Sequence, residues 1–206
     1  MVLSIKSYKT PLRYPGGKSR ACKKMEPFFP DLRDYDVYYE PFLGGGSVAL
    51  HITKKYPKLK IVVNDLYEPL YNFWLRLQVD GDYVHSQLQQ LKSRYPDRGS
   101  ARGLFEDAKE KLYDLDVSDK DRAVCFYIIN KCSFSGLTES SSFSEQASDA
   151  NFSMRGIDKL PVYSKLISNW YITNVDYKVL LGDKEKTFIY LDPPYDIKDN
   201  LYGKKG

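Results

Sequence analysis

The chain has 206 residues, enough for one large domain or a domain with an insertion. Its 42% hydrophobic content and mean hydropathy of −0.50 suit an ordinary globular protein, and no apolar run approaches the roughly 20 residues of a membrane span. A net charge of +4 is compatible with a polyanionic partner but too weak to argue for one.

Met1 to Lys9 lacks the apolar core of a signal peptide, so a cytoplasmic protein without a membrane partner is expected. Cys22, Cys125 and Cys132 are few and widely spaced. They suggest a reducing compartment, and neither a disulfide framework nor a metal site. Cys125 and Cys132 read as buried thiols of one helix.

In chain order, a Pro-Gly-Gly turn in residues 11–29 leads into a predicted helix from Ser19 to Phe28. Tyr35 to Glu40 reads as an aromatic strand, Phe42 to Ser47 as a glycine-rich loop and Val48 to Lys55 as the helix after it. Lys60 to Val63 is a β-branched strand ending at Asn64-Asp65. Strand, glycine loop, helix, strand and acid form the first half of a nucleotide-binding α/β unit.

The pattern then turns helical from Pro69 to Lys131. Leu70, Phe73, Trp74 and Leu77 repeat at helical spacing, and Val84, Leu88 and Leu91 form another face. A third helix, carrying Ala123, Tyr127 and Cys132, starts near Ser118 or Asp119. Tyr95 to Ser100 reads as a loop, and Ser133 to Ser153, rich in Ser, Gly, Asn and Phe, as an exposed loop or hairpin. Strand patterns return at Ile167 to Val175 and Thr187 to Leu191. The expected division is a discontinuous α/β domain, residues 1–68 and 161–206, interrupted by a helical insertion at 69–160.

Four segments carry chemistry. The strand ending in Asp192-Pro193-Pro194-Tyr195 must stop there, because the prolines cannot donate to a ladder. It thus presents an acid acceptor and a flat ring where open α/β sheets bind ligands. That set suits a planar heterocycle with an exocyclic amino group, where the plain alternative is an edge strand running into a turn. In Glu40-Pro-Phe-Leu-Gly-Gly-Gly-Ser47, the glycines allow a close backbone approach and tolerate positive φ, and the helix behind them offers free amides. Asp65 stands where an acid binds ribose hydroxyls. Val48 and Ala49 follow where the dinucleotide spacing needs another glycine, so a nucleoside without phosphates fits better than a pyrophosphate.

Arg13-Tyr-Pro-Gly-Gly-Lys-Ser19 ends like a phosphate loop, but Leu12 stands where that motif needs glycine. A turn offering Tyr14 and Lys18 to a ligand and a solvated basic turn stay equally open. Asn130-Lys-Cys-Ser-Phe-Ser-Gly-Leu137 reads either as a nucleic-acid contact or as a helix end closed by Gly136.

In this order the segments resemble the DNA adenine methylase family of the D12 class, N6-adenine-specific methyltransferases. The resemblance covers essentially all 206 residues. It implies a Rossmann-like sheet, a helical target-recognition insertion, and S-adenosylmethionine as cofactor. Cofactor contacts would fall on Tyr14, Lys18, Glu40, Phe42, Gly44, Gly46, Asp65, Tyr177 and Asp192. Catalysis would fall on Asp192, Pro193, Pro194 and Tyr195. Double-stranded DNA would be met by Asn130, Lys131, Ser133, Phe134, Ser135, Gly136, Thr138 and Glu139. A monomer needing no metal is expected, and a restriction-modification role in a bacterium or its phage.

Two departures stand out. Relatives that modify GATC carry a guanine-reading arginine about where Glu139 stands here. The target is therefore expected to differ, or Arg155 reads it. The chain also ends at Gly206, where relatives continue, so the C-terminal part of the sheet is expected to be missing. Two alternatives remain: a non-catalytic cofactor- or DNA-binding relative, and an amino methyltransferase acting on another base such as cytosine N4.

Overall fold

Strands β1 (Val37–Glu40), β2 (Lys60–Asn64), β3 (Tyr171–Thr173) and β4 (Thr187–Ile189) run parallel in the order β3-β2-β1-β4. They belong to a computed structural model that describes residues 9–136, 141–182 and 185–194. Tyr38 of β1 pairs with Ile61 on one side and Phe188 on the other. The inner strands are buried almost throughout, as expected of a parallel sheet covered on both faces, whereas β3 and β4 at the rims are half-exposed. The chain is therefore α/β, as the strand and loop pattern predicts.

Helix α1 (Cys22–Met25) lies between two 3-10 turns, Lys18–Arg20 and Glu26–Phe28. The continuous helix predicted over 19–28 is thus broken. Pro27, which lacks an N–H, can occupy only the first positions of a new turn. Helix α2 (Ser47–Lys55) joins β1 to β2 and is buried from Ser47 to Thr53.

Between β2 and β3 lie α3 (Glu68–Val79), α4 (Gly81–Arg94), α5 (Arg98–Lys111), α6 (Asp119–Cys132), α7 (Glu145–Asn151), α8 (Met154–Ile157) and α9 (Leu160–Leu166). Helix α10 (Tyr177–Leu180) precedes β4. The predicted faces are the buried ones: Leu70, Phe73, Trp74 and Leu77 on α3, Val84 and Leu88 on α4. Helix α6 is buried from Ala123 to Cys132 and is packed by α3, α4, α5 and α7. Its Tyr127 stacks on Phe73, with centroids 5.9 Å apart. Cys22, Cys125 and Cys132 are buried thiols. One continuous cluster of buried side chains runs from Tyr38, Ile61 and Val63 of the sheet to Phe105 and Tyr127 of the helices.

Two predicted loops are largely helical. Asp97 caps α5 by accepting from Ser100 N, so the Asp-Arg-Gly-Ser stretch begins a helix. In 133–153, Ser133 bridges to Phe143 as the hairpin reading expects, but Ser144 and Ser153 then cap α7 and α8. Serine favours the N-cap because its hydroxyl accepts a free amide of the first turn. Strand β3 is shorter than predicted, since Ile167 and Trp170 turn into the core before it starts.

Candidate active site

A cavity of about 470 Å³ opens at the carboxyl ends of β1, β2 and β4. Strand order reverses between β1 and β4, the switch point where open α/β sheets bind ligands. Its walls include the turn at Tyr14–Lys18, the loop from Glu40 to Ser47, Asn64 and Asp65 after β2, Tyr177 at the start of α10, and Asp192–Pro194 beyond β4.

The glycine loop is shaped by its neighbours. Gly44 and Gly46 have φ of 50° and 67°, values that side-chain-bearing residues rarely adopt. A Cβ on Gly44 would lie 2.7 Å from the Tyr14 ring, and one on Gly46 2.7 Å from the Trp74 ring. The positive φ expected of the glycines is present at both, and the space at their Cβ positions is taken by the protein's own aromatics. Trp74 Nε1 also donates to Gly44 O at 3.2 Å.

The acid after β2 holds the same loop. Asp65 accepts from Gly44 N at 2.8 Å and from Tyr67 N at 3.1 Å. Burial pushes its carboxyl up to about 6 against the opposing pull of these two amides. Asn64 donates to Pro41 O and Val175 O, tying the loop to the segment that brings Tyr177. The Tyr177 and Phe42 rings sit 5.1 Å apart.

Two further carboxyls complete the site. Glu40 is buried and accepts from the Tyr38 hydroxyl at 2.7 Å. Burial, with the Asp192 charge adding, pushes it up to about 8, although the Tyr38 hydrogen bond opposes. Asp192 Oδ2 lies 2.6 Å from Lys18 Nζ, so the end of β4 and the N-terminal turn meet through an ion pair. Ser19 and Ser47 hydroxyls, 2.9 Å apart, attach that turn to α2.

Tyr14, Lys18, Glu40, Phe42, Gly44, Gly46, Asp65, Tyr177, Asp192, Pro193 and Pro194 therefore all line one cavity. Tyr195, Thr138 and Glu139 lie outside the described residues.

The residues at the end of α6 require correction. Asn130 is 3% exposed and Ser133 fully buried. Asn130 is committed to the main chain of Arg13 and Gly136, and Arg13 Nη1 donates to Ser133 O at 2.6 Å. Lys131 is 8% exposed with its Nζ over the Tyr127 ring. Gly136 is also buried, packed where a Cβ would strike Arg13. These four are buried and brace the fold, in place of the exposed contact expected of them. Phe134 is 65% exposed, and Ser135 sits beside it in the 3-10 turn Phe134–Gly136. Arg155 is exposed on α8. Trp74 and Asn64 matter to the site more than the sequence suggests. Helical spacing marks Trp74 as core, but nothing in that spacing shows that it lies over Gly46.

A four-stranded parallel sheet with a glycine loop at its carboxyl edge and Asp-Pro-Pro beyond β4 is consistent with a Rossmann-like methyltransferase fold. The family described as D12 class N6 adenine-specific DNA methyltransferase matches residues 14–205, and the chain belongs to it. It is similar to the type II methyltransferase M.MjaIII of Methanocaldococcus jannaschii, at 26% identity over 89% of this chain and 68% of the relative. It is also similar to the modification methylase StsI of Streptococcus sanguinis, at 25% identity over 100% of this chain and 32% of the relative. The chain thus spans about a third of the second relative's length.

Proposed function

We propose that this DNA methyltransferase transfers the methyl group of S-adenosylmethionine to N6 of an adenine in double-stranded DNA. The observation that carries the reading is the position of Asp192. It stands on the cavity wall three residues past the end of β4, and shares that wall with the glycine loop.

The residues fit the cofactor. The cavity volume is within the roughly 300–1,000 Å³ usual for small-molecule sites. The Phe42 and Tyr177 rings offer a flat base a place to lie, and Asp65 retains lone pairs for ribose hydroxyls. Lys18 would hold the amino-acid carboxylate, and Glu40 and Asp192 would hold the positively charged end. Bound there, S-adenosylmethionine supplies an electrophilic methyl group.

The chain's own residues then act on the adenine. Its N6 lone pair is delocalised into the ring and nucleophilically weak. Asp192 and the Pro193 carbonyl would accept the N6 hydrogens, which turns the lone pair toward the methyl group. As the N6–carbon bond forms, the carbon–sulfur bond breaks to leave the thioether, and one N6 proton is lost to Asp192 or water. Positioning supplies most of the rate. The base reaches the cavity only outside the duplex, so it is flipped, with Tyr195 stacking on it. Residues 69–160 meet the DNA, with Phe134 on their exposed surface.

The test uses this 206-residue chain, labelled S-adenosylmethionine and unmethylated genomic DNA, followed by nucleoside analysis. N6-methyladenine is expected. N4-methylcytosine would overturn the base assignment, and cofactor binding without any methylated base would replace the enzyme reading by a non-catalytic one.

A further inference from the structure

Lys18 and Asp192 come from opposite ends of the chain and meet across the cavity. Lys18 Nζ is 2.6 Å from Asp192 Oδ2 and also donates to Gly16 O at 3.1 Å. Their side chains are only 22% and 25% exposed, and both line the ligand space. The acceptor needed by an adenine amino group is thus already engaged by a cation. An oxygen that holds an ammonium at 2.6 Å has less electron density to offer a neutral N–H.

We infer that Lys18 gates Asp192: the ion pair holds the carboxylate back, and a ligand carboxylate that takes Lys18 over releases it. The inference rests on the reading of this site as an adenine methyltransferase. One cation serves two carboxylates in turn. The pair touches solvent, so it is shallow and exchangeable. A ligand shifts such an equilibrium only through its differential contact with the two states, and here that contact is its amino-acid carboxylate with Lys18. The coupling is reciprocal: capture of the adenine amino group by Asp192 tightens cofactor binding by the same factor. Lys18 is in this respect a positioning residue, acting on substrate through Asp192.

The test measures what the adenine amino group contributes to DNA binding. Two duplexes carry the target site found by sequencing the methylated product. One has adenine at the target, and the other has purine, which lacks the amino group. Their affinities are compared without ligand, with S-adenosylhomocysteine, and with 5′-methylthioadenosine, which has no carboxylate. For the unmodified protein, the adenine duplex is expected to gain several-fold over purine only with S-adenosylhomocysteine. In Lys18→Met the preference is expected without any ligand, while Lys18→Arg, which can rebuild the pair, keeps the ligand requirement. Lys18→Gln replaces the Met variant if that fails to fold.

An equal adenine preference in the unmodified protein with and without S-adenosylhomocysteine would overturn the gate. So would a Lys18→Met protein that still needs the carboxylate-bearing ligand. Absence of N6-methyladenine from the unmodified protein is a separate result, which removes the function reading itself and the gate with it.

Discussion

The side-chain amide of Asn130 is hydrogen-bonded in both directions to the main chain of Arg13, across 117 residues of sequence. Arg13 N donates to Oδ1 at 2.9 Å, and Nδ2 donates to Arg13 O at 2.6 Å and to Gly136 O at 3.2 Å. The end of α6 thereby anchors the segment that carries Tyr14 and Lys18 into the cavity. Replacing Asn130 with Ala leaves buried main-chain groups unpaired, at a cost of about 2–3 kcal/mol. Urea unfolding of Asn130→Ala is expected to show this loss. The KM for cofactor is expected to rise more than that for DNA, and a selective loss of DNA affinity would return Asn130 to the DNA surface.

Gly46 and Gly103 respond in opposite ways to the same change. At Gly46, φ of 67° and a Cβ 2.7 Å from the Trp74 ring make Gly46→Ala destabilising by about 2–4 kcal/mol. Gly103 lies exposed inside α5 with open space at its Cβ position, so Gly103→Ala stabilises by about 0.5–1 kcal/mol. Thermal unfolding of the two variants checks both signs.

Glu40 makes stability fall with rising pH. Its folded-state value of about 8 lies above the ordinary 4.5, so between these limits the folded protein holds a proton that the unfolded chain has lost. Asp65, raised from 3.8 to about 6, acts in the same direction over its own range. Glu40→Gln keeps an acceptor for Tyr38 without the charge. The stability lost by the unmodified protein between pH 5 and pH 8 is expected to shrink in this variant, by on the order of 1 kcal/mol or more. Denaturant titrations across pH measure it.

Lys131 has the opposite slope. Burial, with the Arg13 charge adding, lowers its folded value from 10.5 to about 7. Between those values the unfolded chain binds the extra proton, so stability rises with pH. Lys131→Met is expected to be more stable than the unmodified protein near pH 6–7, with the advantage fading toward pH 10. A constant difference across that window would show that charge burial is not its cause.

Asp192→Ala removes the acceptor for the adenine amino group. Methyl transfer is expected to fall by roughly 100-fold or more, while the far-ultraviolet spectrum stays that of the unmodified protein. Turnover within a few-fold of normal would rule out the proposed chemistry.

The α/β class, the glycine loop, the strand-end acids and the apolar faces of α3 and α4 were legible because each is local. Strand and helix periods, prolines that end a ladder and glycines in a loop act over a few residues, and the order of motifs along the chain identified the family. The helices capped by Asp97, Ser144 and Ser153 were harder to read, because the same polar residues make loops and N-caps. Only the tertiary structure decided which way Asn130 and Lys131 point: α6 is buried all round, so its sequence carries no face period to separate inside from outside. Only the tertiary structure, likewise, brought Lys18 to Asp192 and Trp74 over Gly46. Such contacts depend on how the sheet and helices pack, and no local pattern in the chain encodes the distance between two segments that meet only after folding.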